Sequence, residues 1–181
     1  MRIIAGSLRG RLFEQPKSRS VRPLSDKVRA ALFDVVGPTD GLTVLDAYAG
    51  SGAAGFEAVS RGAVLVDAIE NNPRVAKTIQ KNAQALGLDW GHVLHQLSVE
   101  TWLASPHQQE NKSRYGLIIA DPPYANLEPD IIERLAGFLT PGGVLALSHS
   151  SKLTPELSSL SIVQHKVYGD TALSFYRTRM L

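Results

Sequence analysis

Two short stretches of this 181-residue chain carry residue types that could do chemistry. The first runs Asp46-Ala47-Tyr48-Ala49-Gly50-Ser51-Gly52-Ala53-Ala54-Gly55, and Glu70 stands 20 residues beyond Gly50. Gly50, Gly52 and Gly55 have the spacing of a dinucleotide-binding turn, with Glu70 where an acid would meet ribose hydroxyls. Asp46 counts against a dinucleotide, because its carboxylate would sit near the mouth where a pyrophosphate must come, and like charges repel. A cofactor bearing an amino cation and a sulfonium, S-adenosylmethionine, tolerates that acid. Its carboxylate can use a helix N-terminus, and Glu70 can accept from its ribose hydroxyls. A turn serving tight packing alone is the competing reading.

The second stretch is Asp121-Pro122-Pro123-Tyr124, directly after the apolar run Leu117 to Ala120. Successive prolines preset φ and remove two amide donors, leaving a stiff loop whose carbonyls still accept. A carboxylate, a carbonyl and an aromatic face suit a planar base with an exocyclic amine. Asp121 and the Pro122 carbonyl can hold the two amine hydrogens and aim the nitrogen lone pair, while Tyr124 stacks on the ring. Alignment and electrostatic stabilisation then suffice, without a metal or a nucleophile. An ordinary strand-ending turn is the plainer reading.

These stretches need strands and helices to place them. Apolar runs at Val44–Ala47, Val64–Ile69, Val93–Leu97, Leu117–Ala120 and Gly143–Ser148 read as strands. Between them lie helical patterns at about 52–60, Pro73–Leu86, Val99–Leu103 and Pro129–Leu139, with Pro73 suited to a first turn and Gly87 to a helix end. Such alternation requires crossover connections and a mostly parallel α/β sheet, which puts both motifs at its carboxyl edge. Ile162–Tyr168 and Ala172–Arg177, joined by Gly169-Asp170-Thr171, leave no room for a helix and predict an antiparallel hairpin. Before the body, Arg2–Ala5 and Arg11–Phe13 predict a small β-hairpin, and Ser25 or Asp26 can cap a helix that runs to about Val36. Residues 1–40 thus form an N-terminal extension and 41–181 the catalytic domain.

Charge separates the same two parts. Residues 1–29 hold eight Lys/Arg against two acids, a net +6, which leaves −4 for the rest of a chain whose total is +2. A basic arm on an acidic body suits a polyanion such as nucleic acid, with Arg9, Arg11, Arg19, Arg22 and Arg29 as candidate backbone contacts. A solvated tail is the alternative. Cysteine is absent, which excludes thiolate metal sites and a cysteine nucleophile. His92 and His95 would point to opposite faces of a strand, so no metal is expected. Trp90 and Trp102 read as packing residues. Met1 to Gly6 turns basic and glycine-bearing before a signal-peptide core could develop, and no run is long enough to span a membrane, so a cytoplasmic protein without membrane contact is expected.

Arg2-Ile3-Ile4-Ala5-Gly6, Arg22-Pro23 with Asp26-Lys27-Val28-Arg29, Asp46 to Gly52, Glu57 to Ala63, Glu70, Asp121 to Tyr124 and Tyr168 to Thr171 together resemble the RsmD family of bacterial 16S ribosomal RNA guanine-N2 methyltransferases. The resemblance implies a class I, Rossmann-like methyltransferase fold with seven strands, S-adenosylmethionine as cofactor, and a guanine N2 amine of 16S rRNA in the small ribosomal subunit as target. It implies that the segment from Arg22 through Asp26 to Arg29 closes over the cofactor and helps present RNA, and that Asp121 to Tyr124 hold the base. It adds Ser98 as the residue facing the adenine amine, where many relatives carry Asp or Asn. Asp46, Tyr48, Gly50, Ser51, Gly52, Glu70 and Asp121 complete the expected cofactor site, and a monomer is expected. Family members usually show Thr-Thr where this chain has Leu24-Ser25. A DNA adenine-N6 or cytosine-N4 methyltransferase shares the amine chemistry but needs a recognition domain larger than about 40 residues. A catalytically silent RNA-binding scaffold is the other alternative, against which Asp121 and Glu70 argue.

Overall fold

The computed structural model describes residues 1–18, 24–88, 91–105 and 114–178. Local signals start and stop its helices. Ser25 Oγ accepts from Val28 N at 3.3 Å to open α1 (Asp26–Val36). Asn72 accepts from Arg74 N and Val75 N to open α3 (Pro73–Leu86), and Gly87 closes it. The other helices are α2 (Ala53–Ser60), α4 (Val99–Ala104) and α5 (Pro129–Ala136).

Seven strands form one sheet: β1 (Thr43–Asp46), β2 (Leu65–Ile69), β3 (His92–His95), β4 (Tyr115–Ala120), β5 (Leu139–Ser150), β6 (Leu160–Tyr168) and β7 (Thr171–Thr178). Their order is β3-β2-β1-β4-β5-β7-β6. The first five strands pair in parallel, whereas β7 pairs antiparallel with both β5 and β6. This is the class I methyltransferase arrangement, with the antiparallel C-terminal hairpin expected from the sequence. Successive strand residues face opposite ways. Val44, Leu117 and Ile119 therefore join Leu32, Phe33, Phe56 and Ile79 in one core, while Leu45, Ile118 and Ala120 join Trp102, Ile132 and Leu135 in the other. Trp102 is core packing, and Trp90 lies outside the described residues.

Two expectations change. The hairpin at the start is reduced to one bridge, Arg2 to Leu12, with Ile3 N donating to Arg11 O and Gly10 N to Ile3 O. The reason is competition from α2. Ile4 N and Ala5 N donate to the two oxygens of Glu57 at 2.8 and 2.9 Å, and Leu8 N donates to Ser60 Oγ at 2.9 Å. Gly6 lies so close that a Cβ there would sit 1.8 Å from the Ser60 carbonyl oxygen, at a φ of +81°. Second, β5 begins at Leu139 rather than after Gly142. Tyr115 pairs with Leu139 and Leu117 with Val144, so Thr140 to Gly143 bulge out of the ladder, and the Pro-Gly pair kinks the strand without starting it.

Candidate active site

The parallel strands end at one edge, and their tips surround a cleft of about 770 Å³. Asp46 closes β1, Glu70 follows β2, Ser98 follows β3 and opens α4, and Asp121 follows β4; all four line the cleft with Tyr48, Gly50, Ser51, Pro122 and Tyr124. The structure therefore brings the two sequence motifs, 75 positions apart between Asp46 and Asp121, into one site.

Hydrogen bonds fix the cofactor side. Asp46 is buried, and its Oδ2 accepts from Gly55 N at 3.0 Å. Burial pushes its carboxyl up to about 7, with the Asp121 and Glu70 charges adding to the rise and the Gly55 N–H opposing it. Glu70 accepts from Gly50 N at 3.0 Å through Oε2 and from Asn72 N at 2.7 Å through Oε1, which ties the tip of β2 to the glycine turn. Burial also raises Glu70, against those N–H bonds. A carboxylate has about four acceptor directions, so Glu70 retains capacity toward the cleft. Ser98 Oγ accepts from Thr101 N at 3.2 Å as helix cap, and Ser51 Oγ accepts from Ala53 N at 3.4 Å. Burial pushes the Tyr48 phenol up to about 12, followed by the Glu100 and Glu128 charges.

At the tip of β4 Tyr124 sits in a 3₁₀ turn, Tyr124–Asn126. Its hydroxyl is bonded at 3.0 Å to Ser148 Oγ and donates at 3.0 Å to Thr171 Oγ1, which fixes the ring against β5 and β7.

Two of the expected site residues, Arg29 and Asp26, are placed otherwise. Arg29 has no exposed surface: Nη2 donates to Arg2 O at 2.7 Å and to Asp26 Oδ1 at 3.0 Å, and Nε lies 3.7 Å from Glu57 Oε2. A guanidinium so enclosed cannot meet an RNA backbone. Asp26, paired with Arg29 and Arg2, does not line the cleft; Leu24, Ser25 and Val28 cover that side. Gly52, at φ 78°, is packed where a Cβ would lie 3.0 Å from the Phe56 ring, between the cleft-lining Ser51 and Ala53. Arg11 donates to the carbonyls of Leu86 and Ala85 at 3.1 and 2.8 Å, capping the end of α3. Arg9 is exposed, and Arg19 and Arg22 lie outside the described residues. His92 packs on Phe56, with burial pushing it down to about 4, while His95 Nε2 is bonded to Asp67 Oδ1 at 2.8 Å.

The sequence reading missed Glu100, Glu128, Tyr168, Asp170 and Thr171, all on the cleft wall. The last three could have been found from strand order, because a strand antiparallel to β5 must begin at the edge where β5 ends.

The donor set fits S-adenosylmethionine. Six carboxylates line the cleft and, among the described residues, no Lys or Arg does. Such a wall disfavours a pyrophosphate and favours an amino cation and a sulfonium. Comparison with known proteins agrees. A family model described as Conserved hypothetical protein 95 matches residues 1–177. The ribosomal RNA small subunit methyltransferase D of Haemophilus influenzae is 31% identical over 98% of this chain and 93% of its own. The solved structure of Escherichia coli yhhF has a TM-score of 0.85 at 28% identity, covering 100% of this chain and 99% of its own. SMU.776, a structure complexed with S-adenosylhomocysteine, shares the fold at a TM-score of 0.65 and 16% identity, over 83% of this chain and 48% of its own. The chain belongs to the Conserved hypothetical protein 95 family, that of the small subunit methyltransferase D proteins, and is a methyltransferase whose cleft lining suits S-adenosylmethionine.

Proposed function

We propose that this methyltransferase modifies the exocyclic N2 amine of a guanine in 16S ribosomal RNA, within the small subunit or its assembly intermediate. The observation that carries the reading is the placement of Asp121, Pro122 and Tyr124 in the cofactor cleft, beside an aromatic ring already fixed by its hydroxyl. The methyltransferase D names of the relatives support RNA as the substrate.

S-adenosylmethionine supplies an electrophilic methyl group. Glu70 accepts from the ribose hydroxyls, Asp46 faces the cationic end, and Ser98 the adenine. Asp121 and the Pro122 carbonyl receive the two amine hydrogens, which turns the nitrogen lone pair toward the methyl group, and the Asp121 carboxylate stabilises the positive charge that grows on nitrogen. Residues 1–40 serve as the RNA-contacting extension on the catalytic body, with exposed Arg9 and Lys17 and the neighbouring Arg19 and Arg22 meeting phosphates. Labelled S-adenosylmethionine, offered with unmodified small subunits in one reaction and duplex DNA in another, tests the substrate class: label in 16S RNA is expected, and label in DNA alone would reject the reading.

Two further results are expected. Glu70→Ala removes hydrogen bonds to ribose and also the tie to Gly50 N. Bonds to a charged partner contribute about 1.5–3 kcal/mol each, so calorimetry should show cofactor affinity weakened about 10-fold or more. Unchanged affinity would remove Glu70 from the site. The raised Asp46 gives a pH dependence. Below about pH 7 the free enzyme holds a proton on Asp46 that a cationic cofactor must expel. Affinity should therefore climb between about pH 5.5 and 7 and flatten above, with proton release to buffer over the climb. A flat profile would mean that Asp46 does not face the cation.

A further inference from the structure

The roles assigned above give acceptors to both hydrogens of the guanine amine and leave the adjacent ring N1–H without one. A ring N–H removed from water without an acceptor weakens binding, and a site that supplies the acceptor discriminates sharply. Adenine and 2-aminopurine carry a lone pair at N1, so an acceptor there separates guanine from both.

Tyr124 shows where such an acceptor must stand. Its ring spans from the tip of β4, three residues after Asp121, to Ser148 on β5 and Thr171 at the start of β7. Because β4, β5 and β7 are successive neighbours, the tips of β4 and β7 are two strand spacings apart, about 10 Å across the sheet, and since Ala120 pairs with Leu147 but Thr171 with Ser150, Thr171 also stands beyond Asp121 along the strands, a gap that accommodates a purine between side chains reaching in from both ends. Asp170 immediately precedes Thr171 and lines the cleft. Its carbonyl accepts from Ser151 N at 3.0 Å, which pins the β6–β7 turn to the end of β5. Of the other acids of the cleft, Asp121 is assigned to the amine. Asp46 and Glu70 bond the glycine turn and α2, and Glu100 and Glu128 bear on Tyr48.

We propose that Asp170 is a specificity-determining residue whose carboxylate accepts the N1–H of the target guanine while Asp121 holds its amine, with the Tyr124–Thr171 bond setting the distance between them. The inference rests on the guanine-N2 reading.

The test uses small subunits reconstituted with 16S RNA carrying either guanine or 2-aminopurine at the nucleotide that the wild-type protein modifies. The analogue keeps the N2 amine and replaces N1–H by a lone pair. Wild type should prefer guanine by about 10²-fold in kcat/KM. Asp170→Asn, whose amide can donate to that lone pair, should narrow the preference about 10-fold or more, and Asp170→Ala should narrow it by lowering activity on guanine. Cofactor affinity, measured on the same proteins, should stay within about twofold, since the assigned bond is to the base and not to the cofactor. A preference unchanged in both variants would overturn the proposal, whatever their absolute rates. If the wild-type protein puts no methyl on a guanine amine, the guanine-N2 reading itself fails, an outcome that product analysis of the wild type alone reveals.

Discussion

Asp121→Ala should lose methyl transfer by about 10²-fold or more while binding S-adenosylmethionine within a few-fold of wild type. The side chain closes β4 at the cleft, beside the Pro122 carbonyl and the fixed ring of Tyr124. The role proposed for it concerns charge that appears on the amine only as the methyl group transfers, so the loss belongs in kcat and not in cofactor affinity. Asp121→Asn should recover part of the geometry but little of the rate, because an amide oxygen is a weaker acceptor for a cationic nitrogen. Turnover near wild type in either variant would remove Asp121 from the chemistry. A parallel collapse of cofactor affinity would assign it to the cofactor instead.

Glu57→Ala should destabilise the protein by about 3–5 kcal/mol. The carboxylate is wholly buried and accepts from Ile4 N, Ala5 N and Arg61 Nε, the last at 2.8 Å, while lying 3.7 Å from Arg29 Nε. Truncation leaves the buried guanidinium with Asp26 as its remaining carboxylate and two backbone donors without an acceptor. The extension should then come away from α2, seen as a lower urea midpoint and as early proteolysis within residues 1–18. A loss under about 1 kcal/mol would mean that apolar packing of Ile3 and Phe13, both in the core, holds the extension by itself.

Most of the architecture was legible because its signals are local. Ser25 and Pro73 mark helix starts within a few residues, and the apolar runs fall within two residues of the observed strands except at β5. The meeting of Asp46, Gly50 and Glu70 at one cleft was legible for the same reason, since a strand tip followed by a glycine turn names its own position on the sheet edge. What stayed hidden depends on contacts distant in sequence. Arg29 counts as an exposed charge until Glu57, 28 residues later, is seen to enclose it. Asp170 looks like an ordinary hairpin residue until β7 inserts between β5 and β6 and brings the turn to the cleft. Arg11 reads as one more basic residue of the arm, yet its partners are the last carbonyls of α3, 74 and 75 positions on.

In the proposed complex the cleft holds a guanine with its N2 amine toward the methyl donor. The most direct measurement is transfer from methyl-labelled S-adenosylmethionine to small ribosomal subunits lacking the modification, followed by digestion of the 16S RNA to nucleosides and identification of the labelled one. The account predicts N2-methylguanosine, lost with Asp121→Ala. Label in N6-methyladenosine or N4-methylcytidine, or none in the RNA, would contradict it.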